Sequence, residues 1–226
     1  MKAAGEEVFE CQRVLGKTSS NAVAELLAGQ GMFYEHNHYP KGDVYDQDTH
    51  SQYYYHAHRG MNGEHGHLHT FLRGKGMPAD IKPAAIDTVS ERPLGDEALS
   101  HLIGISMDAH GLPMGMFTTN RWVTDETWYA AEDVVRMVDI FLVDHTFPNW
   151  AVNRWLNALF RLFKPQIQQL IRERDERIAQ WQEAHPDRDA FEDRDLEIVS
   201  TTPISVVDQF ARIIKALRKL DDHAPD

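Results

Sequence analysis

Histidines at alternating positions are the feature that most restricts how this chain can fold. Eight of the thirteen histidines lie between His36 and His69, where even scattering would place about two. They stand as Glu35-His-Asn-His38, His50, His56-Ala-His58 and Glu64-His-Gly-His-Leu-His69. Alternate residues of an extended strand share a face, so His56 and His58 point one way, and so do His65, His67 and His69. Six residues, 59–64, separate the two sets. Read as a hairpin loop, they set His58 opposite His65 and His56 opposite His67. Opposed residues of an antiparallel pair project to the same side with Cβ atoms about 4.5 to 5.5 Å apart, so five imidazoles are expected on one face. His36 and His38 repeat the spacing on a third expected strand.

Burying that many uncoordinated rings is costly, because each needs partners for two nitrogens, whereas one divalent cation satisfies several at once. A metal site is expected, ahead of a metal-free acid/base or hydrogen-bonding site and of an incidental polar surface, held by His56, His58, His67 and His69, with His65, His36 and His38 completing or extending a mononuclear or dinuclear centre. Glu64 and Tyr54 are the candidates to handle protons. Glu64 and Glu35 each precede a histidine, which sets them on the opposite face unless a turn swings Glu64 inward. Asp43, Asp46 and Asp48 are placed to orient imidazoles by accepting the other ring N–H. The single cysteine, Cys11, excludes a disulfide framework and any zinc site built on two thiolates. Nitrogen ligation points to iron, copper or zinc rather than magnesium or calcium. Met107, His110, Met114 and Met116 offer a soft copper site, although methionines more often fill core gaps. His145 reads as a histidine at a helix end.

The rest of the chain supports a single α+β domain over residues 1–226, with an antiparallel sheet carrying the histidine face. A helical segment is expected over 1–30, interrupted near Gly16 and resumed at 21–27; a mainly β region over 31–124; and a mainly helical region over 125–226. Strands are expected at 33–39, 52–58 and 65–73, then an ordered loop or lid through 74–96, then a second hairpin at 101–108 and 115–123. Acidic Asp125 and Glu126 suit the start of a helix running to about 143. Asn149 or Trp150 opens the next, whose stripe of Val152, Trp155, Leu156, Leu159, Phe160 and Phe163 reads as core. A helix over 165–185 carries a narrower stripe and is either a solvated arm or a homo-oligomer contact. A strand at 196–200 and a last helix, capped by Thr202 with Pro203 at its first position, complete the expectation.

A formal charge of -12 repels a phosphate backbone, which argues against nucleic acid as a partner. Neither an export signal nor a run of about 18 apolar residues occurs, so a soluble, cytoplasmic protein without a membrane partner is expected. No GxSxG, P-loop, dinucleotide fingerprint, HExxH or CxxCH stands in the chain. The expected function is a metal-dependent enzyme, a non-haem oxidoreductase acting on a small molecule. Metal sequestration, delivery or sensing without turnover is one alternative, and metal-dependent hydrolysis another.

Two resemblances attach to these residues. His56-Ala-His58 followed by Glu64 is locally similar to the first metal motif of the cupins, which bind iron, manganese or zinc through two histidines, a glutamate and a later histidine. Here the glutamate stands too far on, the second motif is absent, and the helical C-terminal third is foreign to a plain jelly roll. The longer run from Tyr34 to Arg73 resembles a functionally uncharacterised bacterial family of histidine-rich domains, a likeness that implies no activity.

Overall fold

Six strands form one antiparallel sheet in which spatial order follows chain order: β1 (Tyr39–Tyr45), β2 (Ser51–His56), β3 (Glu64–Arg73), β4 (Leu99–Asp108), β5 (Pro113–Thr119) and β6 (Ile198–Pro203). The computed structural model describes residues 1–58 and 63–221, with the backbone alone at Asp221, so most of the loop between the two histidine sets, 59–62, lies outside the described residues. Helices α1 (Lys2–Gly16) and α2 (Ala22–Leu27) precede the sheet. Between β5 and β6 run α3 (Arg121–Thr124), α4 (Ala131–Ile140), α5 (Trp150–Leu162) and α6 (Lys164–Ala184), and α7 (Val206–Asp221) follows β6. The α+β class, the N-terminal helical segment and the helical C-terminal half are as the sequence predicts.

Alternation along the strands gives the sheet two different faces. Tyr53, Tyr55, Leu68, Ile103, Ile105 and Met116 point to one side and are buried. There they meet the α5 stripe of Val152, Trp155, Leu156, Leu159 and Phe163 in one continuous core. Each such side chain removed from water contributes roughly 1.5 to 3 kcal/mol before chain entropy is set against it. Asn149 starts α5 as expected, its carboxamide oxygen accepting from the amides of Ala151 and Val152 at 2.8 and 3.3 Å. Tyr53 donates its hydroxyl to Asn153 at 2.5 Å, tying β2 to that helix. Tyr54, His56, His67, His69 and Phe117 line the opposite face.

Several boundaries differ from the expectation, each for a local reason. Residues 33–38 are not a strand: His36 adopts a left-handed φ of 66°, which ends any extended run, and β1 begins only at Tyr39. The second hairpin stops at Thr119 because Asn120 turns the chain into α3. Asp125, left-handed at φ 52°, closes that short helix, so the next one starts at Ala131 and ends at Ile140 instead of spanning 125–143. Pro203 remains in β6, and Ser205 accepts the amide of Asp208 at the start of α7. The stripe of α6 packs within the chain and is not a free arm. Ile167, Leu170, Ile171 and Ile178 are buried within the chain, and Ser200 of β6 donates to the Leu170 carbonyl at 2.8 Å. Residues 74–96 form an ordered strap, held where Ala84 donates to the Trp128 carbonyl and Thr88 to Asp189. Among the described residues, no helix is long and apolar enough to cross a membrane.

Candidate metal centre

The β2–β3 pairing is the one in the sheet that runs without a register shift, and it sets His56 opposite His67 and Tyr54 opposite His69. The His56–His67 pair is the expected one, whereas the expected His58–His65 pair does not form, because β2 ends at His56. His67 and His69 are buried at 0% and 2% exposure, and His56 is partly buried beside them. The Nε2 atoms of His56 and His67 lie 2.7 Å apart, and one ligand nitrogen from each of His56, His67 and His69 falls within 4.8 Å of the others. A tetrahedral ion bound at about 2.1 Å would hold its nitrogens about 3.4 Å apart, so side-chain shifts of roughly an ångström would bring the three onto one cation. Phe117 covers the rings edge-on, with centroids 5.4 Å from His67 and 5.7 Å from His69. Gly104 makes room for it, since a Cβ there would stand 2.3 Å from the Phe117 ring.

Two further groups orient the buried imidazoles. Glu64 accepts from His67 Nδ1 at 2.7 Å, which leaves the Nε2 lone pair of His67 directed at the triad. His69 Nδ1 lies 2.9 Å from Nε2 of His101, and His101 Nδ1 lies 3.3 Å from the Thr119 hydroxyl. Burial pushes the His101 imidazole down to about 3, with Arg174 and His67 adding to the shift, so the ring stays neutral. A neutral His101 that donates to Thr119 accepts from His69, and His69 is then left with Nε2 to offer a cation. The His101 amide in turn donates to Glu126 at 2.7 Å. With His101 donating to Thr119, both buried histidines present the tautomer a metal requires.

The other expected residues divide. His58 lies just beyond β2, its ring 5.0 Å from His56 and 5.1 Å from His67, outside the triad. His65 is not on the shared face. A bulge between Glu64 and Gly66 turns it to the side of Tyr55, whose hydroxyl lies 2.6 Å from His65 Nδ1, and the same bulge brings Glu64 round to His67. His36 and His38 reach the site from the loop before β1 rather than from a strand. His36 stacks on His58 at 5.3 Å, and His38 lies flat on Tyr54 at 3.5 Å with His56 5.8 Å away. Glu35 is exposed. Tyr54 sits 5.3 Å from both His56 and His69, and burial, with Asp43 second, raises its phenol well above the ordinary value, so it keeps its proton.

Of the three aspartates, Asp43 alone orients an imidazole, at 3.0 Å from His38 Nδ1. Asp46 accepts instead from the amides of Asp48, Thr49 and Asp144; burial works to raise its carboxyl, but these hydrogen bonds lower it. Asp48 is exposed. His50 pairs with the Tyr45 hydroxyl at 2.6 Å. Met107 and Met116 are core residues, which removes the soft copper reading. His145 lies in the irregular stretch between α4 and α5 and accepts the Phe147 amide, rather than ending a helix.

His101, Phe117 and Glu126 are the site residues that sequence reasoning misses. Strict alternation would put His101 with Ile103 and Ile105 on the apolar face, but a bulge between β3 and β4 at Leu102 reverses it. No local sequence signal marks that bulge.

Neither a curated protein nor a solved structure matches the chain. The profile of one family, described as a domain of unknown function (DUF6969), matches residues 2–204, a span that includes the whole sheet and every residue of the histidine cluster. The chain therefore belongs to that family, the uncharacterised domain DUF6969.

Proposed function

We propose that this protein is a metal-dependent enzyme acting on a small molecule, with one transition-metal ion held by His56, His67 and His69 and non-haem redox chemistry as the reaction class. The observation that carries the reading is the triad itself: three imidazoles on one sheet face, the two buried ones each oriented by a second group. Three protein ligands leave coordination positions for water and substrate, the arrangement of catalytic rather than structural sites. Imidazole ligands suit iron, copper and zinc, and such an ion supplies Lewis acidity or electron transfer at the open positions. A closed shell would instead have favoured sequestration.

The residues around the ion have separable duties. Glu64, engaged with His67, is a positioning residue and not the free base its location first suggests. Tyr54, whose phenol burial keeps protonated, serves as a hydrogen-bond donor beside the triad and not as an acid that gives up its proton. Phe117 and Phe71 keep the inner side of the triad apolar and exclude water. His36, His38 and His58 form the outer edge, where ions and substrate enter.

Metal analysis of protein purified without added metal is the test. One equivalent per chain, lost in His67→Ala and in His69→Ala, is the expected result; a metal-free wild type that takes up neither iron, copper nor zinc overturns the reading. Several ions per chain would favour sequestration. Oxygen consumption set against ester hydrolysis, each with the native metal, separates the redox reading from hydrolysis.

A further inference from the structure

The histidine face continues along the sheet into a cavity of about 350 Å³, lined by Gly42, Tyr45, Gln52, Arg73, Lys75, Asp96 and Glu97. Arg73 stands four residues beyond His69 on β3 and Gln52 four before His56 on β2, about 13 Å along each strand and on the same face. The two ends of this face are joined by a chain of hydrogen bonds. Arg73 Nε donates to Gln52 Oε1 at 2.6 Å, Gln52 Nε2 donates to Asp43 Oδ2 at 2.6 Å, and Asp43 Oδ1 lies 3.0 Å from Nδ1 of His38. His38 lies on Tyr54, beside His56. Gly42 and Asp43, both left-handed at φ 86° and 61°, form the irregularity in β1 that turns the Asp43 carboxylate toward both partners.

The chain uses only one of the Arg73 donors. Gln52 is 7% exposed, with its oxygen and nitrogen both engaged, so it fixes the guanidinium by Nε. Among the described residues, Nη1 and Nη2 of Arg73 have no acceptor. A planar fork held by its base beside a cavity matches the two oxygens of a carboxylate. Lys75 adds a second cation. It stands 4.0 Å from Asp96, and both of these side chains are more than half exposed, toward the solvent side of the cavity. Asp96 and Glu97 bring the lining to two cations and two acids, so it selects no anion by net charge, and the planar fork, matched to a planar carboxylate, sets the preference over tetrahedral phosphate or sulfate.

We propose that this cavity binds a small organic acid, its carboxylate taken bidentately by Arg73 and supported by Lys75, and that Gln52, Asp43 and His38 link its occupancy to the histidine site. The inference rests on the proposed metal site for its functional meaning, since the acid is then the substrate or a part of it. Its binding chemistry stands apart from that site.

Calorimetric titration with succinate, glutarate, inorganic phosphate and sulfate, on metal-free and metal-loaded protein, tests it. The dicarboxylates are expected to bind more tightly than either inorganic anion. Losing hydrogen bonds to a charged group weakens such binding by about tenfold or more, so Arg73→Gln and Arg73→Lys should both do so, the second because an ammonium lacks the fork. Lys75→Gln, at an exposed position that folding does not depend on, should weaken binding more modestly, while Lys82→Gln should leave it unchanged. Loading the metal should shift dicarboxylate affinity in the wild type and less in Asp43→Asn. Absent dicarboxylate binding, binding unaffected by both Arg73 variants and Lys75→Gln, or equal binding of all four anions overturns the proposal. Unchanged metal content in Arg73→Gln separates a lost cavity from a lost metal site, and a wild type that binds dicarboxylate but no metal refutes the metal reading alone.

Discussion

Glu64 illustrates how little separates a ligand-orienting residue from an idle one. In regular alternation it would face away from His67; one bulge at His65 brings its carboxylate to 2.7 Å from His67 Nδ1. Removing such a partner costs a metal site about 10- to 100-fold in affinity. Glu64→Gln should therefore weaken metal binding by about that factor, measured by competition with a chelator, while unfolding in the metal-free protein changes little. Residue by residue, alternation placed His56, His67 and His69 on one face because their strands pair regularly. It misplaced His65 and passed over His101, because a bulge is a backbone event that side-chain types do not announce. His36 and His38 reached the site by a loop path that spacing cannot describe.

Elements were legible where one face is apolar and the ends carry their own signals. Asn149 caps α5 as expected, the α5 stripe is core, and α2 begins one residue later than expected because Asn21 is its cap. The segment before β1 and the stretch 125–130 were not, since both turn on left-handed residues, His36 and Asp125, whose conformation neither pattern nor propensity encodes. Helix α6 is the instructive case: a charged sequence with a thin apolar stripe reads as an arm, yet the stripe is buried against β6 and α4. Ile171, 1% exposed, should on replacement by Ala cost about 2 to 5 kcal/mol in urea unfolding with no change in oligomeric state by light scattering. Dissociation of an oligomer without loss of stability would restore the interface reading.

At the scale of the molecule, Glu126 connects the histidine face to the helical layer. It accepts the His101 amide and lies near Arg174 and Arg121, yet burial pushes its carboxyl up to about 8, because these partners only partly offset desolvation. A raised folded-state value means stability that is complete below the unfolded value of 4.5 and is lost as pH rises through about 8. Across that window this one group lowers stability by about 1.4 kcal/mol per pH unit. Glu126→Gln, which keeps an acceptor for the amide, should flatten that slope in urea unfolding measured at intervals from about pH 5 to about pH 9. An identical slope in the variant would show that Glu126 is ionised throughout.

The three proposed ligands lie within fourteen residues, His56 to His69, on two strands that are neighbours in both chain and sheet. Joining them closes only a short loop, whose entropy cost is small and grows slowly with length. The helices and the other four strands are not needed to bring these nitrogens together; they supply burial and, through β4, the His101 that orients His69. If these nitrogens hold a cation as proposed, the ion would tie β2 to β3 through contacts close in sequence, and would add its binding energy to the pairing of these two strands.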